Sequence, residues 1–95
     1  PDDHNVMTDL GVMYHEDKQH QKAIELFDRV LKDDPKHEQS RFNKGVVLLT
    51  GLNDRKGAIA EWKTLVQQNP MAAAPSGKMV GDLIDQLEKE EQGKK

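Results

Sequence analysis

Cysteine is absent from the 95 residues, which excludes a disulfide framework, a thiolate nucleophile and any zinc site built on sulfur. Long apolar stretches are absent too: no run exceeds the four residues of Val46–Leu49, whereas a membrane-spanning helix needs roughly 18. No membrane insertion by this segment is expected. A basic stripe is also missing, because the net charge is −3 with both signs interspersed, and nothing could neutralise a run of phosphates. The expectation is no nucleic-acid partner. Aromatic residues make up only 4% of the chain, so each one has to be placed by an argument.

A third of the residues are charged and 35% are apolar. That balance suits amphipathic helices with wet outer faces, and the length suits one small domain. Val6, Leu10, Met13 and Tyr14 recur at helical spacing behind the acceptor side chains Asp2, Asp3 and Asn5, which predicts a first helix over 4–16 with one of the three as its cap. Ala23, Ile24, Phe27, Val30 and Leu31 share one face of a second helix over 20–33. Asp34-Pro35 closes it, since proline disfavours helical geometry in the residue before it and suits the first turn of the next helix. A third helix is expected from at or just after Pro35 to Leu49 or Thr50, and a fourth from Arg55 to Gln68, capped by Asp54 and ended at Asn69-Pro70. Ser76 is expected to cap a fifth over 77–91, with Met79, Val80, Leu83, Ile84 and Leu87 as its apolar stripe, and residues 92–95 are expected to fray.

The halves align internally. Gly11 to Gly45 is 34 residues, whereas Ala23 to Ala58, Phe27 to Trp62 and Pro35 to Pro70 are each 35. One residue is therefore inserted in the second half, and a turn at Gly51–Lys56 is where it disturbs neither helical face. A glycine inside a helix costs about 1 kcal/mol relative to alanine, so Gly11 marks a close crossing, with the small Ala23 opposite.

Leu10, Gly11, Tyr14, Ala23, Phe27 and Pro35 stand at the offsets of the tetratricopeptide-repeat (TPR) pattern W-x2-L-G-x2-Y, A-x3-F, P, with Met7 in the tryptophan position. The chain resembles two TPR units (4–35 and 36–70) followed by a capping helix (76–91). The second unit departs from the pattern at Arg41, Lys44 and Leu48. The resemblance implies an all-α fold of antiparallel helix pairs forming a short right-handed solenoid, no catalytic apparatus, no cofactor, and a concave groove that docks a protein or peptide partner. The tail after Pro70 is similar to that of bacterial TPR proteins of cytochrome c biogenesis, which implies a scaffold role in a membrane-associated assembly, in cytoplasm or periplasm. Because the chain opens on Pro1 and not methionine, a piece of a longer parent is expected, with any anchor upstream.

On that resemblance the groove is lined by Asn5, Thr8, Asp9, Val12 and His15 of the first helix and Gln39, Phe42, Asn43, Val46 and Leu49 of the third. Phe42, Val46 and Leu49 fall at i, i+4, i+7 and can form an apolar strip for a partner's anchors or pack between helices; Phe42 is favoured as a contact. Only Asn43 stands where a clamp for a terminal carboxylate would need a polar group, so apolar recognition oriented by Asn43, Asn5 and Thr8 is expected instead. Metal binding is not expected, because His15 and His20 straddle a turn and the pattern fixes no further ligand. Asp and Glu fall on outward faces, away from the burial that acid–base catalysis requires. Trp62 occupies the slot of Phe27 and is assigned to the core. Two units are fewer than the three or so that a stable array usually needs, which keeps a homodimer, formed by helix exchange at the 51–54 turn, and a structural oligomerisation role open beside peptide docking.

Overall fold

A computed structural model describes residues 3–93. These fold as five α-helices: α1 (His4–Glu16), α2 (His20–Asp33), α3 (Glu38–Thr50), α4 (Arg55–Gln68) and α5 (Val80–Gln92). The fold is all-α, as expected. Asp3 caps α1, its carboxylate accepting from the amides of Asn5 (2.9 Å) and Val6 (3.2 Å). The expected capping by Asp2 and fraying of residues 94 and 95 lie outside the described residues.

α1 and α2 form one antiparallel hairpin and α3 and α4 a second. The direction is set by contacts between opposite ends: His4 faces Asp33 at 3.5 Å and His15 faces His20 at 2.9 Å in the first, and Asn69 donates to Glu38 at 2.9 Å in the second. Each hairpin is pinned by a glycine under an aromatic ring. A Cβ added to Gly11 would lie 2.5 Å from the Phe27 ring, and one added to Gly45 would run into the Trp62 indole. Ala23 and Ala58 are fully buried alongside, so the glycine in each first helix serves close approach.

The helix bounds locate the extra residue. α3 starts and ends 34 residues after α1 (4 to 38, 16 to 50), whereas α4 starts and ends 35 after α2 (20 to 55, 33 to 68). The left-handed turn residues Lys18 (φ 62°) and Asn53 (φ 54°) are already 35 apart, which narrows the insertion to Gly51 or Leu52.

Two expected helix starts move. α3 begins at Glu38 and not at Pro35, because Asp34 to Lys36 make a turn in which the His37 amide donates to the Asp34 carbonyl (3.1 Å) and the His37 ring then caps the helix, accepting from the Ser40 amide (3.2 Å). α5 begins at Val80, and Ser76 does not cap it; Met79 takes the cap position without a side-chain hydrogen bond. Residues 72–80 instead close a small extended hairpin. The Ala74 amide donates to the Lys78 carbonyl (2.8 Å) and the Val80 amide to that of Ala72 (3.0 Å), and Gly77 turns the chain at φ +94°, a conformation glycine adopts at no steric cost. Val80, Ile84 and Leu87 of α5 are buried with Trp62, Leu65 and Ala72, and Leu83 packs at the edge, as expected of the stripe, whereas Met79, expected in it, precedes the helix.

Candidate peptide-docking groove

The third helix carries a pocket. Glu38, Gln39, Phe42 and Asn43 of α3, Leu65 of α4, and Ala73 and Pro75 of the extended segment enclose about 280 Å³. Its firmest wall is Phe42, stacked on Trp62 with ring centroids 5.3 Å apart and planes 6° from parallel, while the indole N–H donates to the Phe42 carbonyl at 3.1 Å. An aromatic ring held this way offers an apolar surface that does not have to be ordered when something lands on it. Gln39 is exposed and Asn43 half-buried. Glu38 accepts from the Asn69 amide group, so the acidic group at this wall is already oriented.

Opposite α3, the 72–74 stretch presents an edge. The Ala72 carbonyl and the Ala74 amide bond to the 78–80 arm, and both residues bury their methyl groups; Ala73 between them is exposed, bridged to Met79. In an antiparallel pairing of this type the middle residue's N–H and C=O point away from the partner arm. Among the described residues neither group of Ala73 has a hydrogen-bond partner.

The residues expected to line a groove divide by helix. Gln39, Phe42 and Asn43 meet in the pocket. Val46 and Leu49 are half-buried against the Trp62 cluster, the packing alternative. On α1 the expectation fails for Thr8, which is fully buried: its hydroxyl donates to the His4 carbonyl (2.7 Å) and shares a 2.7 Å hydrogen bond with Ser40, so it holds α1 to α3. Val12 packs on the cluster of Ala23, Phe27 and Val47. His15 has its Nδ1 2.9 Å from that of His20 and its Nε2 3.3 Å from the Thr50 hydroxyl; burial, then the His20 charge, push its pKa down against the opposing pull of Glu16. Asn5 is exposed, with its carbonyl 3.3 Å from His37 Nε2, and Asp9 is exposed. The α1 side is thus mostly joinery. No group of three His, Cys, Asp or Glu able to hold a metal ion occurs among the described residues.

No family model, curated protein or solved structure matches the chain. The pocket's own chemistry therefore carries the functional argument. Sequence reasoning missed Glu38, Leu65, Ala73 and Pro75. For Ala73 a signal existed in the proline-bounded 71–75 stretch, which cannot form a long helix and so had to be extended or turned.

Proposed function

We propose that this chain is a protein-interaction module of the two-unit tetratricopeptide-repeat type, docking a peptide segment of a partner between α3, α4 and residues 73–75. The unpaired amide and carbonyl of Ala73 beside an apolar wall carry this reading. Backbone hydrogen bonds to an exposed edge supply affinity for an extended chain, and alternate side chains read the neighbouring pocket. The docked segment is extended, pairs with Ala73, and places an aliphatic side chain on Phe42 and Leu65. Gln39 and Asn43 orient its polar groups, and the carboxylate of Glu38 favours a lysine or arginine next to the anchor.

Selection from a random peptide library displayed on phage tests the proposal. Aliphatic anchors adjacent to a basic residue should be enriched, and captured peptides should be lost on Ala73→Pro, which deletes the amide in an already extended segment, and weakened on Asn43→Ala. Peptides that bind both variants as well as the parent would refute it. Phe42→Ala is the poorer probe, because its stack on Trp62 makes it part of the core.

A further inference from the structure

Among the described residues, three of the four large apolar side chains that stand out into solvent lie on one helix. Val6 is 61% exposed, Leu10 39% and Met13 62%. With Asp3 and Asp17 they form a stripe at positions 3, 6, 10, 13 and 17, steps of three and four that place all five on one face. The centre of the stripe is apolar and each end is an aspartate.

The second hairpin shows what covers this face. The 34-residue offset between α1 and α3 makes Val6, Leu10 and Met13 the counterparts of Ser40, Lys44 and Val47. All three of those lie under other elements: Ser40 is fully buried, Val47 is 1% exposed beside Ala23 and Phe27 of α2, and Lys44 reaches Asp28 of α2 at 2.7 Å. What covers this position is a helix. α1 has apolar residues where α3 has a serine and a lysine, so the helix suited to α1 brings aliphatic side chains where α2 brings Asp28.

No described helix of a second copy suits this face. A second α2 would set Asp28 over Leu10. Two α1 stripes packed about a twofold axis would bring Asp3 against Asp17 of the other copy, and the outer face of α5 carries the exposed acids Asp82, Asp85 and Glu90. Like charges of this kind oppose self-association.

We propose that the Val6–Leu10–Met13 face of α1 docks an amphipathic helix of another protein, with aliphatic residues at its centre and lysine or arginine at both ends. The surface is separate from the pocket on α3 and does not depend on it. Helices that pack along one face meet through residues spaced three and four apart, and Val6, Leu10 and Met13 stand at i, i+4 and i+7.

Two synthetic helical peptides test it, identical in a leucine stripe at i, i+4 and i+7 and flanked by lysines in one and glutamates in the other. Titrated into the 15N-labelled protein, the lysine-flanked peptide should shift the amides of residues 6–13 and bind at least tenfold more tightly than the other. Leu10→Glu should weaken it at least tenfold, and Asp17→Asn should reduce the preference for lysine, with the amide spectrum of α3 to α5 unchanged in both variants. Equal affinity for the two peptides, shifts confined to Gln39–Asn43, or no binding would overturn the proposal. So would a dimer in sedimentation that Leu10→Glu converts to monomer, because the face would then belong to a second copy.

Discussion

The two hairpins share a frame and differ in what lies beside them. α3 is packed between α2 and α4, while the corresponding face of α1 is open. The polarity runs opposite to the simplest rule, since the covered face carries Ser40 and Lys44 and the open one Val6, Leu10 and Met13. Hydrogen bonding and ion pairing explain the covered side. Arg41 Nη1 donates to Glu61 at 2.8 Å and its Nη2 to the Pro35 carbonyl at 3.0 Å, while Lys44 meets Asp28 at 2.7 Å and Glu61 at 3.2 Å. The two departures from the repeat pattern at Arg41 and Lys44 are thus one network spanning α2, α3 and α4. A shared frame fixes where side chains stand, and the neighbour decides which chemistry is tolerated there.

The sharpest way to break the comparison is to empty the shared aromatic slot. Phe27→Ala and Trp62→Ala should each cost about 3–5 kcal/mol, the range for deleting a large buried aromatic, which consumes much of the stability of a small domain. Trp62→Ala should cost more, because the indole also holds Phe42 by stacking and by its N–H. Urea denaturation followed by circular dichroism measures both. If the Phe27 variant were nearly neutral, the first hairpin would have no core of its own.

Glu61 tests the difference in polarity. Glu61→Gln leaves two cations facing a neutral amide with side chains only 14% (Arg41) and 19% (Lys44) exposed, and should cost about 2 kcal/mol, less than the loss from a fully buried pair. Burial alone would lower the Lys44 pKa, but hydrogen bonds and charge from Asp28 and Glu61 outweigh it and raise the value. A raised lysine pKa contributes stability that is complete below the unfolded value of 10.5 and fades only as pH climbs through the folded value. The penalty of Glu61→Gln should therefore be the same at pH 6 and pH 9.

The glycine pins grade the two crossings. Gly45→Ala meets several atoms of the rigid, hydrogen-bonded indole and Gly11→Ala meets the edge of the Phe27 ring. Overpacking of this kind costs about 1–3 kcal/mol against a gain of about 1 kcal/mol in helix propensity. Net losses of about 2 kcal/mol for Gly45→Ala and about 1 kcal/mol for Gly11→Ala are expected in the same urea assay. Reversal of that order would place the closer helix approach in the first hairpin.

Much of this frame was legible in the sequence because it rests on local rules. Apolar period and proline position gave the bounds of α1, α2 and α4, and counting between Gly11 and Gly45 and between Phe27 and Trp62 placed the inserted residue in the Gly51–Lys56 turn. What was not legible depends on pairings between distant segments. Thr8 reads as a groove residue until Ser40, 32 positions away, takes its hydroxyl. Ser76 reads as a helix cap until the Ala72–Val80 hydrogen bond delays α5. The pocket was half legible for the same reason. Gln39, Phe42 and Asn43 follow from helix spacing together with the face that the repeat resemblance assigns to the groove, whereas Ala73 enters the site only because an extended segment folds back on itself.

The smallest expected effect is also the one that separates the two turns most cleanly. At the first turn the Nδ1 atoms of His15 and His20 are 2.9 Å apart, which requires one to donate and the other to accept, so the pair cannot hold a proton on both facing nitrogens. Burial and the His20 charge lower the His15 pKa from its ordinary 6.5. Below that value the unfolded chain binds more protons than the folded one, so this contribution is fully present above pH 6.5 and is lost as pH falls through the lower, folded value. The second turn has Leu49 and Arg55 at the equivalent positions and no histidine. The urea midpoint should fall between pH 7.5 and pH 5, and His20→Gln should flatten that dependence. Amide exchange corrected for intrinsic rates should accelerate at residues 17–20 on acidification while residues 55–58 keep their protection. Equal acceleration at both turns would show that acid acts on the whole fold and not through the histidine pair that only the first hairpin has.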